Sequence, residues 1–188
     1  MRAAFLLPAL AVLALAWGPD WTAVLGPFPA HMLRHMTLVA IAAPLLVLGL
    51  PALGRHAPPV AVAAALEFAV VWGFHLPLAH AAAQTTGAWL VLEQALFLAA
   101  GVAVWASALP PAAPLAGAGG LLLTSMHMTL LGALLVLAPN DLYAALCGRA
   151  PDLSGQQVGG ILMLAIGTPV YLIGGLALTA RTLRETPA

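Results

Sequence analysis

Charge is what this chain lacks. Only 6% of its 188 residues are charged, and all six cations are arginine. Soluble domains carry roughly a quarter charged residues. With 63% apolar residues and a mean hydropathy of +1.03, the chain cannot cover itself with a surface that water would wet. It reads as an integral membrane protein whose first partner is the lipid bilayer. Formal net charge is zero and lysine is absent, so there is no basic footprint and no nucleic acid is expected as a partner. The single cysteine, Cys147, excludes an intrachain disulfide and a CxxC metal site. Short alternating segments are missing too. The apolar runs are long and unalternating, which suits helices and not barrel strands.

Proline, glycine and polar clusters divide the remainder. The expected fold class is all-α: a polytopic membrane protein, a bundle of about six transmembrane helices in a single membrane domain over residues 1–188. The spans are expected at about 3–17, 30–50, 60–81, 88–108, 120–138 and 156–180. The first run is short, like the apolar stretch of a signal peptide. No small-x-small cleavage site precedes Trp17-Gly18-Pro19-Asp20-Trp21, so it reads as a retained helix with Trp17 and Trp21 as interfacial anchors. Six spans place both termini on one side. Arg2, Arg55, Arg181 and Arg184 fall there, against Arg34 and Arg149 opposite, which makes the termini cytoplasmic by the positive-inside rule.

Against this apolar background stand six histidines. Ionisable groups are costly inside a bilayer and mark function there. His31 and His35 are four residues apart and share a helix face; Met32 and Met36 repeat the spacing one residue on. His75 lies in Trp72-Gly73-Phe74-His75-Leu76-Pro77, where it has the further option of capping carbonyls freed by the proline. His80 falls near the expected helix end and reads as solvated. His127 stands between Met126 and Met128, nearer mid-depth. Glu93-Gln94 and Gln156-Gln157 also fall in the outer half of the membrane, with Met163 deeper. The inner half holds little except Glu67, read as a protonated structural group. His56 falls in a cytoplasmic loop.

Neutral imidazole and thioether supply copper(I) with ligands without burying net charge. The candidate set is His31, His35 and His75, with His127 and Met126 or Met128 deeper. Glu93, with Gln94 beside it, would orient a ligand histidine. An i,i+4 pair on one helix and one histidine from a second would close a three-coordinate site. Zinc normally wants a tetrahedral set, often with thiolate, and no suitable thiol is present. Two other readings stay open. One is a b-type haem held between histidines such as His75 and His127. The other is a structural subunit without metal, in which the histidines bond helices together.

The segment His31-Met32-Leu33-Arg34-His35-Met36, followed by Ala43-Pro44-Leu45-Leu46-Val47-Leu48-Gly49-Leu50-Pro51, resembles the CtaG family of cytochrome c oxidase assembly proteins, of the multi-span, oxidase-associated type. Trp72 to Pro77, the Glu93-centred helix ending near Trp105, and Gln156-Gln157-Val158-Gly159-Gly160-Ile161-Leu162-Met163 agree with it in order. The chain carries Gln94 where the family usually has a histidine, and Gly155 where it usually has an aspartate. The resemblance implies maturation of the oxidase's copper-containing core. It points to copper(I) bound near the periplasmic face of a bacterial inner membrane and passed to the catalytic subunit of a haem-copper oxidase. That is a chaperone's role, with no bond-breaking catalysis, so the chain is not expected to be an enzyme. A homo-oligomer is compatible with it.

Overall fold

The computed structural model describes residues 2–110 and 113–185. Within them every regular element is helical: α1 (Ala3–Trp17), α2 (Trp21–Leu25), α3 (Pro27–Gly49), α4 (Val60–His75), α5 (Pro77–Thr85), α6 (Gly87–Ala108), α7 (Pro114–Leu137) and α8 (Leu153–Glu185), with a 3-10 turn at Pro51–His56. Helices α3, α6, α7 and α8 are each long and apolar enough to cross a membrane, and α4 with α5 makes a fifth span if the bent pair counts as one. α1 is apolar but has only 15 residues, short of the roughly 20 a span needs. The all-α polytopic class therefore holds, with four to five spans by length where about six were expected.

Prolines account for most of the shifted boundaries. α3 starts at Pro27 instead of residue 30: Gly26 precedes it at φ 89, and proline at the first helical position has no N–H to leave unpaired. α7 likewise begins on a proline, Pro114, well before residue 120; residues 111 and 112 of the expected linker lie outside the described residues. The helix expected over 60–81 is broken. Pro77 disfavours a helical residue before it; Leu76 is extended (φ −64, ψ 135) and the chain bends by 74° between α4 and α5.

Pro44 acts differently, inside α3. Residues Thr37–Ala42 form a π-helical stretch, in which the N–H of Ala43 donates to Leu38 instead of Val39. The next nitrogen along belongs to Pro44 and has no hydrogen to give. The Val39 carbonyl is thus left without a backbone donor from that turn. Two side chains supply it from other helices: Trp105 Nε1 on α6 at 3.1 Å and the Tyr171 hydroxyl on α8 at 3.0 Å. A buried carbonyl without a partner would cost free energy comparable to a lost hydrogen bond. One proline therefore ties α3 to two neighbours.

The same Tyr171 oxygen lies 2.6 Å from Glu67 Oε1, while Thr124 Oγ1 donates to Glu67 Oε2 at 3.0 Å. A single hydroxyl proton cannot serve both Val39 and Glu67. Every group is bonded when Glu67 carries its own proton and Tyr171 gives its proton to Val39. Elsewhere α7 and α8 form the most extensive helix pair. Small residues allow it: a Cβ on Gly160 would stand 2.8 Å from the Gly132 carbonyl oxygen.

Candidate metal centre

Three elements deliver four imidazoles to one buried place. His31 and His35 lie one turn apart on the inward face of α3. His75 is the last residue of α4, and the bend after it folds α5 back so that His80 covers His31. Ring centroids lie 5.6 Å apart for His31 and His75, 5.3 Å for His35 and His75, and 4.7 Å for His31 and His80. His31, His35 and His75 each offer a nitrogen within 4.8 Å of the other two, and His31, His80 and Glu93 form a second such group. His31 belongs to both.

Hydrogen bonding defines the chemistry. His75 Nδ1 lies 2.7 Å from the carbonyl oxygen of Val71. A carbonyl only accepts, so the proton is on Nδ1 and the lone pair on Nε2. That is the arrangement by which metal-ligating histidines are usually oriented. His75 Nε2 has no hydrogen-bond partner, nor have both ring nitrogens of His31 and of His35, nor His80 Nδ1. His31 Nδ1 is 3.4 Å from Glu93 Oε2, without hydrogen-bond geometry. Glu93 is steadied by Gln94, whose Nε2 donates to Oε2 at 2.9 Å. Each unpartnered buried nitrogen costs roughly 1–3 kcal/mol in isolation. Each neutral ring has one lone pair to offer, and the nitrogens of His31, His35 and His75 lying within 4.8 Å of one another fit a cation held among them. The donor set is imidazole with one carboxylate at the edge, which suits copper or another borderline first-row ion and not calcium or magnesium.

Aromatic rings close the pocket. Phe97 on α6 stacks on His35 with centroids 4.0 Å apart. On the other side Tyr143, in the connection between α7 and α8, stacks on Phe28 at 4.9 Å and packs on His80 at 4.4 Å. Its hydroxyl donates to the His75 carbonyl at 3.1 Å, at the broken end of α4. Asp141 anchors this connection. Its side chain is 1% exposed and bonds Arg149 at 2.8 Å, and it also accepts from the backbone N–H groups of Tyr143, Ala144 and Asp152. Burial alone would raise the Asp141 carboxyl, but these donors together hold it below its ordinary value of 3.8. Gln156 Oε1 accepts from the Leu142 N–H at 2.8 Å while its Nε2 donates to Leu135 at 3.1 Å. Gln156 thus fastens the cover over the histidines to α7, and Gln157 Nε2 donates to the α7 carbonyl of Val136 at 3.2 Å.

A family model described as cytochrome c oxidase caa3 assembly factor (Caa3_CtaG) matches residues 55–185, more than half of the chain. The chain belongs to this family. Neither the curated proteins nor the solved structures compared with it gave a match. The family match starts beyond His31 and His35, so their place at the centre of this CtaG-family protein rests on the geometry. Two of its departures from the usual family pattern also find a place in the structure. Gln94 braces Glu93. Gly155, where an aspartate was expected, donates its N–H to Asp152 at 2.9 Å, and Asp152 caps α8.

Of the residues singled out in the sequence, His31, His35, His75 and Glu93 meet. On α7, His127 joins neither group, and Met126 and Met128 flank it in sequence. Consecutive helical residues are separated by about 100°, so the three point different ways. Met126 is 68% exposed on the outer surface of the bundle. His127 faces the edge of Phe68 at 5.4 Å, and Met128 packs inward beside Met36 near Gly167. His80 is the opposite case. It was expected to be solvated near a helix end, but it is 2% exposed and belongs to the second group. The bend at Pro77 is what turns it inward.

Proposed function

We propose that this CtaG-family assembly factor carries copper(I) as cargo in the His31, His35 and His75 group and hands it to the catalytic subunit of a haem-copper oxidase. The observation that carries this reading is the set of buried ring nitrogens without protein partners, gathered from separate elements. Three neutral imidazoles hold a monovalent ion without a buried negative charge, and three-coordination leaves the ion exchangeable. The neighbouring His31, His80 and Glu93 group gives the ion a second resting place, reached by exchanging its bonds to His35 and His75 for bonds to His80 and Glu93 while His31 stays bound. The carboxylate there also attracts a cation arriving at the Tyr143 cover. In this reading the cluster end faces the periplasm and the termini are cytoplasmic, in a bacterial inner membrane. The role is delivery, without catalysis.

Haem finds less support. A porphyrin needs a slot between two facing rings. His75 is hemmed in by His31 at 5.6 Å and His35 at 5.3 Å, while His127 faces Phe68. Anaerobic titration of the purified protein with copper(I) against a chromophoric chelator tests the proposal. The parent is expected to take up copper in competition with the chelator, and His35→Ala and His75→Ala to lose at least tenfold in affinity. Equal uptake by parent and variants, or a stoichiometric Soret band in the purified protein, would overturn it.

A further inference from the structure

The end of the bundle opposite the histidines has a concavity of its own, lined by arginine. α3, α6 and α8 all run towards that end, which Gly49, Ala108 and Arg184 mark as the level where the spans stop. A cavity of about 550 Å³ lies there. Three arginines from distant parts of the chain line it: Arg2 before α1, Arg55 in the 3-10 turn, and Arg181 near the end of α8. That is half of the arginines in the protein. Among the described residues no acidic side chain lines the cavity; the rest of its wall is chiefly apolar, with Val47, Leu48 and Leu109. The chain's placement here is fixed by the backbone, since the Arg2 N–H donates to the Gly49 carbonyl at 2.9 Å. None of the three guanidinium groups has a side-chain or carbonyl acceptor among the described residues, whereas Arg34 bonds the Ala16 carbonyl and Arg149 bonds Asp141.

Positive charge at one membrane face is common and by itself only orients a protein. Here three arginines converge on one concave wall with no counter-charge among the described residues that line it. Like charges brought together repel, and that cost is offset when an anion sits among them. Guanidinium forks match phosphate oxygens two at a time. The apolar wall beside them, at the depth where hydrocarbon gives way to headgroups, matches the glycerol and upper acyl portion of a lipid. Basic pockets between transmembrane helices at such a level bind anionic headgroups. We propose that the Arg2, Arg55 and Arg181 cavity is a binding site for the phosphate group of an anionic phospholipid. The lipid would pin the N-terminal segment, the turn after α3 and the end of α8 together. The inference is independent of copper.

The test uses the full chain in neutral detergent. Native mass spectrometry and thermal unfolding are followed during addition of phosphatidylglycerol, phosphatidylcholine or inorganic phosphate. One bound phosphatidylglycerol and a raised Tm are expected for the parent, with phosphatidylcholine at least tenfold weaker. The combined variant Arg2→Gln, Arg55→Gln, Arg181→Gln should bind phosphatidylglycerol at least tenfold more weakly, and Arg55→Gln alone at least threefold, which covers the case in which the triple variant does not fold. Arg184→Gln, outside the cavity, should match the parent. Undiminished binding by Arg55→Gln, equal preference for phosphatidylcholine, or an equal Tm rise with inorganic phosphate alone would overturn the lipid assignment.

Discussion

Replacing Tyr171 by phenylalanine removes one hydroxyl and leaves the ring stacked on Trp105 at 5.2 Å. The hydroxyl bonds the Val39 carbonyl at 3.0 Å and Glu67 at 2.6 Å. Hydrogen bonds of this kind contribute about 1 kcal/mol each in proteins, and about 0.6 on average between transmembrane helices, so Tyr171→Phe should destabilise by about 1–2 kcal/mol. Pro44 allows a sharper test. In Pro44→Ala the nitrogen at 44 regains a hydrogen. Whether α3 stays π-helical there or returns to α, Val39 then has a backbone donor. In that background Tyr171→Phe should cost less by about 0.5–1 kcal/mol, since only the Glu67 contact is lost. Equilibrium unfolding in mixed micelles, on the four proteins of a double-mutant cycle, measures the coupling. An identical cost of Tyr171→Phe with and without Pro44 would refute the account of why α3 is held by its neighbours.

Three further outcomes follow from the geometry. Gly160→Ala places its Cβ 2.8 Å from the Gly132 carbonyl oxygen, a backbone clash that should lower stability by about 1–3 kcal/mol in a thermal melt. Asp141→Asn should weaken the cover by about 2 kcal/mol at neutral pH, because a carboxylate bonded to Arg149 and three backbone N–H groups is replaced by a neutral amide. Since the folded state holds Asp141 below its ordinary value of 3.8, its contribution is complete above that value and is lost as pH falls through the lowered one. The parent's advantage over Asp141→Asn in unfolding midpoint should therefore shrink on the acid side and not the alkaline side. His127→Ala should leave copper uptake unchanged in the competition titration, because His127 belongs to neither nitrogen group and packs on the edge of Phe68.

The legible part of the molecule is the part set by local pattern. Apolar runs bounded by proline and glycine show the helices, and the four-residue spacing of His31 and His35 shows that they share a face. Pro77 was a visible signal as well: its predecessor is biased out of the helix, and the resulting bend brings His80 over His31. Treating 60–81 as one continuous helix hid that. Met126 and Met128 diverge from His127 for a local reason too, because adjacency in sequence is divergence on a helix. What no local pattern encodes is who meets whom. The pairing of Val39 with Tyr171 spans 132 positions, and that of Tyr143 with the His75 carbonyl spans 68. Pro44 announces an orphaned carbonyl in the sequence, but only the packed bundle names its partners.

In the proposed site copper sits among imidazoles, without the thioethers that lie near them in sequence. X-ray absorption at the copper edge, on protein loaded anaerobically with one equivalent of copper(I), examines the metal's neighbours directly. The account predicts a shell of nitrogen scatterers with imidazole outer-shell features and no sulfur, and loss of those features in the double variant His35→Ala, His75→Ala. A sulfur shell in the parent, or an unchanged nitrogen shell in the double variant, would contradict it.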